Sequence, residues 1–100
     1  MYVARIAGTV VCTRKVPELD GFKLLIVRKE DIGGGVGTEL TVAVDVVGAG
    51  EGEQVLVVTG SSARQTQQTD KRPVDAAIVG IVDTITLHEE APKAPRKKKK

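Results

Sequence analysis

Residues 40–59 decide the fold: Leu40-Thr41-Val42-Ala43-Val44-Asp45-Val46-Val47-Gly48-Ala49-Gly50-Glu51-Gly52-Glu53-Gln54-Val55-Leu56-Val57-Val58-Thr59. Leu40, Val42, Val44 and Val46 alternate with Thr41, Ala43 and Asp45, the period of two that a pleated strand imposes. Three glycines at alternate positions interrupt it, and a β-branched run resumes at Gln54. The spacing Gly48-x-Gly50-x-Gly52 would cradle a dinucleotide only if a helix followed, because the pyrophosphate has to meet a helix N-terminus. A strand follows instead. The glycines therefore read as a tight hairpin connection between a third and a fourth strand.

Working outward, residues 2–13 place Tyr2, Ala4, Ile6, Val10 and Cys12 on one parity and Arg5, Thr9 and Thr13 on the other. That pattern predicts a strand with one wet face, and a buried, inert Cys12 thiol. Val16 to Gly21 reads as a loop, with Pro17 lacking the ladder N–H and Asp20-Gly21 forming a turn. Phe22 to Lys29 is the second strand. Residues 31–37 hold four glycines among seven, which predicts a flexible loop. Gly60 to Thr66 has no period of two; a serine N-cap followed by Ala63, Arg64 and Gln65 predicts one or two helical turns. The fifth strand runs from Val74 to Leu87, just past Pro73. Five short strands, one small helical insert and turns near ten-residue spacing predict an all-β fold, a small five-stranded OB-like β-barrel. Parallel α/β architecture is excluded, since no segment is long enough for crossover helices.

One hundred residues, 41% hydrophobic and 28% charged, allow one globular domain. Tyr2 and Phe22 are the only aromatics and Trp is absent, so the core is aliphatic and a base-stacking platform is disfavoured. One cysteine excludes an intramolecular disulfide. No apolar run approaches the ~20 residues of a membrane span and no secretory signal opens the chain, so no membrane partner and a cytosolic setting are the default expectations. The formal charge of +2 hides a division. Residues 91–100 carry 6 of the 15 basic residues and no acidic one, leaving residues 1–90 with 9 basic against 13 acidic, a net of −4. The chain is thus an acidic domain, 1–90, followed by a basic tail, 91–100, expected to be disordered.

Few residues invite chemistry. His88 is the only histidine, at the end of the last strand, and with one cysteine beside it in the inventory a metal would need an intermolecular partner. No metal or cofactor is expected. Asp45, Asp75 and Asp83 lie within or beside strands, but no pocket or nucleophile selects a pair for acid–base work. Asp83 shares the parity of Val79, Ile81, Ile85 and Leu87, the core side of a half-buried strand. There it must be paired, hydrogen-bonded or placed at a subunit boundary; Arg64 is a candidate partner for one of these three acids. Gly60-Ser61-Ser62-Ala63-Arg64 is the densest small polar cluster. A serine without a neighbouring base is no nucleophile by default. The plain reading is a cap and packing contact; the sharper one is a narrow opening where several copies converge.

Taken together, these residues resemble a known family. Ala7-Gly8-Thr9-Val10-Val11-Cys12-Thr13-Arg14-Lys15 and Leu19-x-Gly21-x-Lys23-Leu24-Leu25 look like the opening of the EutN/CcmL proteins. The likeness continues through Val42–Val57, Gly60–Arg64 and Pro73-Val74-Asp75-Ala76-x-Ile78-Val79-Gly80-Ile81-Val82-Asp83, and spans about residues 1–88. It implies a cyclic homopentamer that fills the five-fold vertices of a polyhedral bacterial microcompartment, a shell in the bacterial cytoplasm that encloses enzymes. Its partners would be itself and the hexameric and pseudohexameric proteins of the shell facets. The resemblance places Gly60, Ser61, Ser62 and Ala63 around a narrow pore on the five-fold axis. It makes Arg64 an inter-subunit contact, with Asp45, Asp75 and Asp83 also assigned to the subunit interface. No catalysis is implied. The alternative is an OB-fold single-stranded nucleic-acid-binding protein using the basic tail, disfavoured by the acidic body and the shortage of aromatics. A small hydrolase built on Ser61, Ser62 and the three aspartates ranks third.

Overall fold

A computed structural model describes residues 1–33 and 35–88, so the tail at 91–100 lies outside the described residues. Five strands, β1 (Tyr2–Val10), β2 (Lys23–Glu30), β3 (Val36–Asp45), β4 (Gln54–Thr59) and β5 (Ala76–Ile81), close into a barrel in the order β1-β2-β3-β5-β4. Two short 3-10 helices, Pro17–Leu19 and Gly60–Arg64, complete the elements. Among the described residues no helix is long and apolar enough to cross a membrane. All neighbouring strands are antiparallel except β3 and β5, which run parallel and pair only at Val44–Ala77 and Asp45–Ile78.

The glycine turn is a turn but not a hairpin, because β3 and β4 are not neighbours: β5 lies between them. Residues 46–53 instead cross the end of the barrel, with Ala49 buried in its core and Gly52 donating to the Ile6 carbonyl at 3.1 Å. Asp45 shapes the start of this crossing. Its carboxylate accepts from Val47 N (3.0 Å), Gly48 N (3.1 Å) and Ala49 N (2.9 Å), satisfying three donors that a crossing loop would leave unpaired.

The barrel interior is filled by Ala4, Ile6, Leu25, Val27, Val55, Val57 and Ile78 with smaller neighbours, as the aliphatic composition requires. In β1 the alternation holds to Ile6 and then fails. The register against β2 slips between Ile6 and Gly8, so Thr9 faces Leu25 and Val10 pairs with Leu24 on the other face. A bulge of this kind reverses every later side chain. Val10 therefore does not share the face of Ile6, and Cys12, past the strand end, is exposed rather than buried.

A second cluster lies outside the barrel wall, where Val44, Val58, Ala63, Val74 and Ala77 pack with Phe22, Leu19 and Leu24. The insert between β4 and β5 covers this surface. Its polypeptide is held by a reciprocal pair: Thr66 N donates to Thr69 Oγ1 (3.2 Å) and Thr69 N donates to Thr66 Oγ1 (3.0 Å). Thr69 is fully buried, so these bonds satisfy a hydroxyl that would otherwise be costly to bury.

Strand boundaries differ from the sequence expectation by one to three residues in several places and by more at two. β3 begins at Val36, inside the glycine-rich stretch, and a Cβ on Gly37 would stand 2.7 Å from the Lys29 carbonyl oxygen. Glycine here permits close approach of two strands rather than a loop. β5 stops at Ile81 instead of Leu87, because its partner β4 begins at Gln54; the last bond of the ladder is Val82 N to Gln54 O, 2.8 Å. Asp83 is consequently outside the strand and exposed, not on the core side.

Candidate functional site

β4 ends where Gly60 adopts φ +62°, a left-handed conformation that an L side chain rarely takes, and turns the chain into the Gly60–Arg64 helix. The Gly60 N–H donates to the Asp75 carbonyl at 2.9 Å, tying this corner to the residue just before β5. Helix formation starts one residue before the serines. Thr59 occupies the cap position without a side-chain capping bond, so neither Ser61 nor Ser62 is the predicted N-cap.

The four residues assigned to an axial opening divide. Gly60, Ser61 and Ser62 are exposed on the outside of the turn. Ala63 is fully buried among Val58, Val74 and Ala77, so its methyl group anchors the turn to the protomer instead of facing outward. Arg64 is half-buried, and its Nη1 donates to the Val74 carbonyl at 2.9 Å. Within the protomer its partner is thus a backbone oxygen, not one of the three aspartates; Asp45 is engaged by backbone N–H groups and Asp75 is exposed. The carboxylates do not gather into one site.

The charged network that does form joins residues the sequence reading left unassigned. Arg5 Nε donates to Glu30 Oε2 at 2.8 Å, Gln54 Nε2 donates to Glu30 Oε1 at 2.9 Å, and Arg5 Nη1 reaches the Gly52 carbonyl at 3.0 Å. One carboxylate thereby links β1, β2 and β4. Hydrogen bonding from Arg5, and then from Gln54, holds the Glu30 carboxyl below the ordinary carboxylate range against the opposing effect of desolvation. Nothing in the local sequence signals it, because the three residues are 24 or more positions apart except through the barrel closure.

Both aromatics are partly buried. Tyr2 packs against the barrel core with Lys29 Nζ 5.2 Å from its ring centroid, and Phe22 packs into the outer cluster. Among the described residues no group of three or more His, Cys, Asp or Glu side chains is arranged to hold a metal ion. His88 is exposed beyond the barrel.

The chain and its fold are similar to those of known proteins. The sequence model described as "Ethanolamine utilisation protein EutN/carboxysome" matches residues 1–83. The chain belongs to the EutN/CcmL family. It is 44% identical over 91 residues to the carboxysome shell vertex protein CcmL of Synechococcus elongatus, covering 91% of this chain and 92% of the relative. It is 48% identical over 90 residues to the microcompartment shell vertex protein PduN of Salmonella typhimurium, covering 86% and 99%. Among solved structures, GrpN of Rhodospirillum rubrum, described as a pentameric microcompartment shell protein, superposes with a TM-score of 0.79 at 46% identity, covering 87% of this chain and 99% of that one. Family membership thus extends over almost the whole barrel.

Proposed function

We propose that this chain is a structural shell protein whose homopentamer caps the five-fold vertices of a polyhedral bacterial microcompartment. The observation that carries the reading is the similarity, at 44–49% identity over nearly the whole chain, to several proteins named as shell vertex proteins, one of them solved and described as pentameric. The geometry supports it. A heterologous contact repeated around one axis closes into a ring, and a five-fold ring supplies the corner that a sheet of six-fold tiles lacks. In this reading Gly60, Ser61 and Ser62 surround the axis, and their small side chains let five copies of the corner converge. Arg64, Asp45, Asp75 and Asp83 lie at or near the subunit boundary. Arg64 keeps donors beyond the one given to Val74, available to a neighbouring subunit. The role is architectural, with enzymes enclosed by the shell and not carried by this chain. Facet proteins of hexameric and pseudohexameric symmetry are its partners at the shell vertex. The OB-type nucleic-acid alternative is set aside, because the relatives are named as shell vertex proteins and the chain offers only two aromatics on an acidic body.

Shells assembled from facet proteins with and without this chain test the proposal. Closed polyhedra by electron microscopy only when the chain is present are the expected result. Equally closed shells in its absence, with the chain left unincorporated, would refute it.

A further inference from the structure

The barrel closes at β3 and β5 over only two residue pairs, which leaves most of one edge of β3 without a partner strand among the described residues. Val46 N donates to the Ile78 carbonyl, so Val44, Val42 and Leu40, on the regular part of β3, direct their backbone groups to the β5 side. Leu40 and Val42 accordingly present N–H and C=O groups along an open edge; beyond Leu40 the register against β2 slips, Arg28 pairing with Leu40 but Glu30 with Val36, and the parity ends there. An open cavity of about 230 Å³ adjoins this edge, lined in part by Leu19, Leu24, Val42, Val44 and Val74. Leu40 and Val42 beside it are 53% and 48% exposed.

At the other end, residues 82–88 leave the barrel with the composition of a strand and no strand to pair with. Thr84 and Thr86 alternate with Ile85 and Leu87, whose side chains are 40% and 51% exposed. Unpaired edges and unpaired extended segments attract one another, since each satisfies the other's backbone groups. Within the protomer the two are not paired. β5 runs parallel to β3 with Ile78 level with Asp45, so a continuing chain would put Ile85 about 30 Å from Val42 at ~3.3 Å per residue, in the opposite direction.

We infer that residues 83–88 of one protomer add as a strand to the free edge of β3 at Leu40 to Val42 in the next protomer, seating Ile85 or Leu87 against Leu24, Val42 and Val74. The inference rests on the pentameric reading and names the surfaces that make the ring. A donor segment at one end of the protomer and an acceptor edge at the other form a heterologous pair, the arrangement that a cyclic assembly repeats. It also explains why the strand pattern of the sequence runs to Leu87 while the ladder within one chain stops at Ile81.

Paired cysteines test it in the full chain carrying Cys12→Ser. Leu87→Cys combined with Leu40→Cys or with Val42→Cys should form disulfides on oxidation, since strand neighbours fall within the ~7 Å Cα separation that a disulfide tolerates. A denaturing gel should show covalent multimers up to five copies, absent from each single-cysteine chain and from Leu87→Cys with Val11→Cys. If native mass spectrometry gives five copies and neither pair cross-links beyond that control, this interface is wrong while the shell reading stands. A monomer in native mass spectrometry of the Cys12→Ser parent would remove both.

Discussion

Gly60 is the residue on which the outward corner turns. Its φ of +62° carries a steric penalty for any side chain, yet a Cβ there would meet nothing within 4 Å, so the penalty is one of backbone alone. Gly60→Ala should therefore destabilise the protomer by about 1–2 kcal/mol, read as a lower urea midpoint, with the barrel intact by circular dichroism. An unchanged midpoint would mean the corner relaxes without the left-handed conformation. Glu30 provides a second reading at this scale. Its pKa is lower in the fold than in the unfolded chain, so the Arg5 and Gln54 bonds stabilise the fold near neutral pH. That contribution disappears as the pH falls through the ordinary glutamate range toward the folded value. Unfolding midpoints measured against pH should drop on acidification in the native chain and drop less in Glu30→Gln; parallel curves would show that Glu30 contributes no pH dependence. The Gly60 corner is legible in the sequence because glycine before a polar, non-alternating stretch has few other uses. The Glu30 network is not, since Arg5, Glu30 and Gln54 become neighbours only when β1 lies between β2 and β4.

Among the elements, periodicity identifies all five strands, and β4 matches residue for residue because nothing interrupts its run. It errs where the pleat is broken. The slip between Ile6 and Gly8 reverses the faces of β1, and a second slip opposite Leu56 and Val57 does the same in β5. Gly8 was the available cue: a glycine inside a strand pattern often marks a bulge, and a Cβ there would stand 3.3 Å from Ile26 Cδ1. No cue in the sequence shows that β5 inserts between β3 and β4, because that is decided by which edges remain after β1 and β2 have paired. Leu25 lies on the part of β2 that β1 and β3 both flank and is 1% exposed. Leu25→Ala should cost about 2–5 kcal/mol in chemical unfolding, since the closed barrel leaves little room to collapse around the lost atoms. A loss under 1 kcal/mol would indicate a barrel looser than this packing.

At the scale of the whole molecule, a chain of 100 residues with two aromatics builds a small aliphatic core and leaves Leu40, Val42, Ile81, Ile85 and Leu87 partly uncovered. Small domains of this kind gain stability by burying further surface between subunits, which makes folding and assembly linked equilibria. The ring, not the isolated barrel, is accordingly the functional unit of the proposed role. Native mass spectrometry of the full chain at micromolar concentration tests that claim most directly. A dominant species of five copies that persists on dilution below the range where a weak encounter would separate is the expected result; a stable monomer, or a closed assembly with a different number of copies, would overturn the claim.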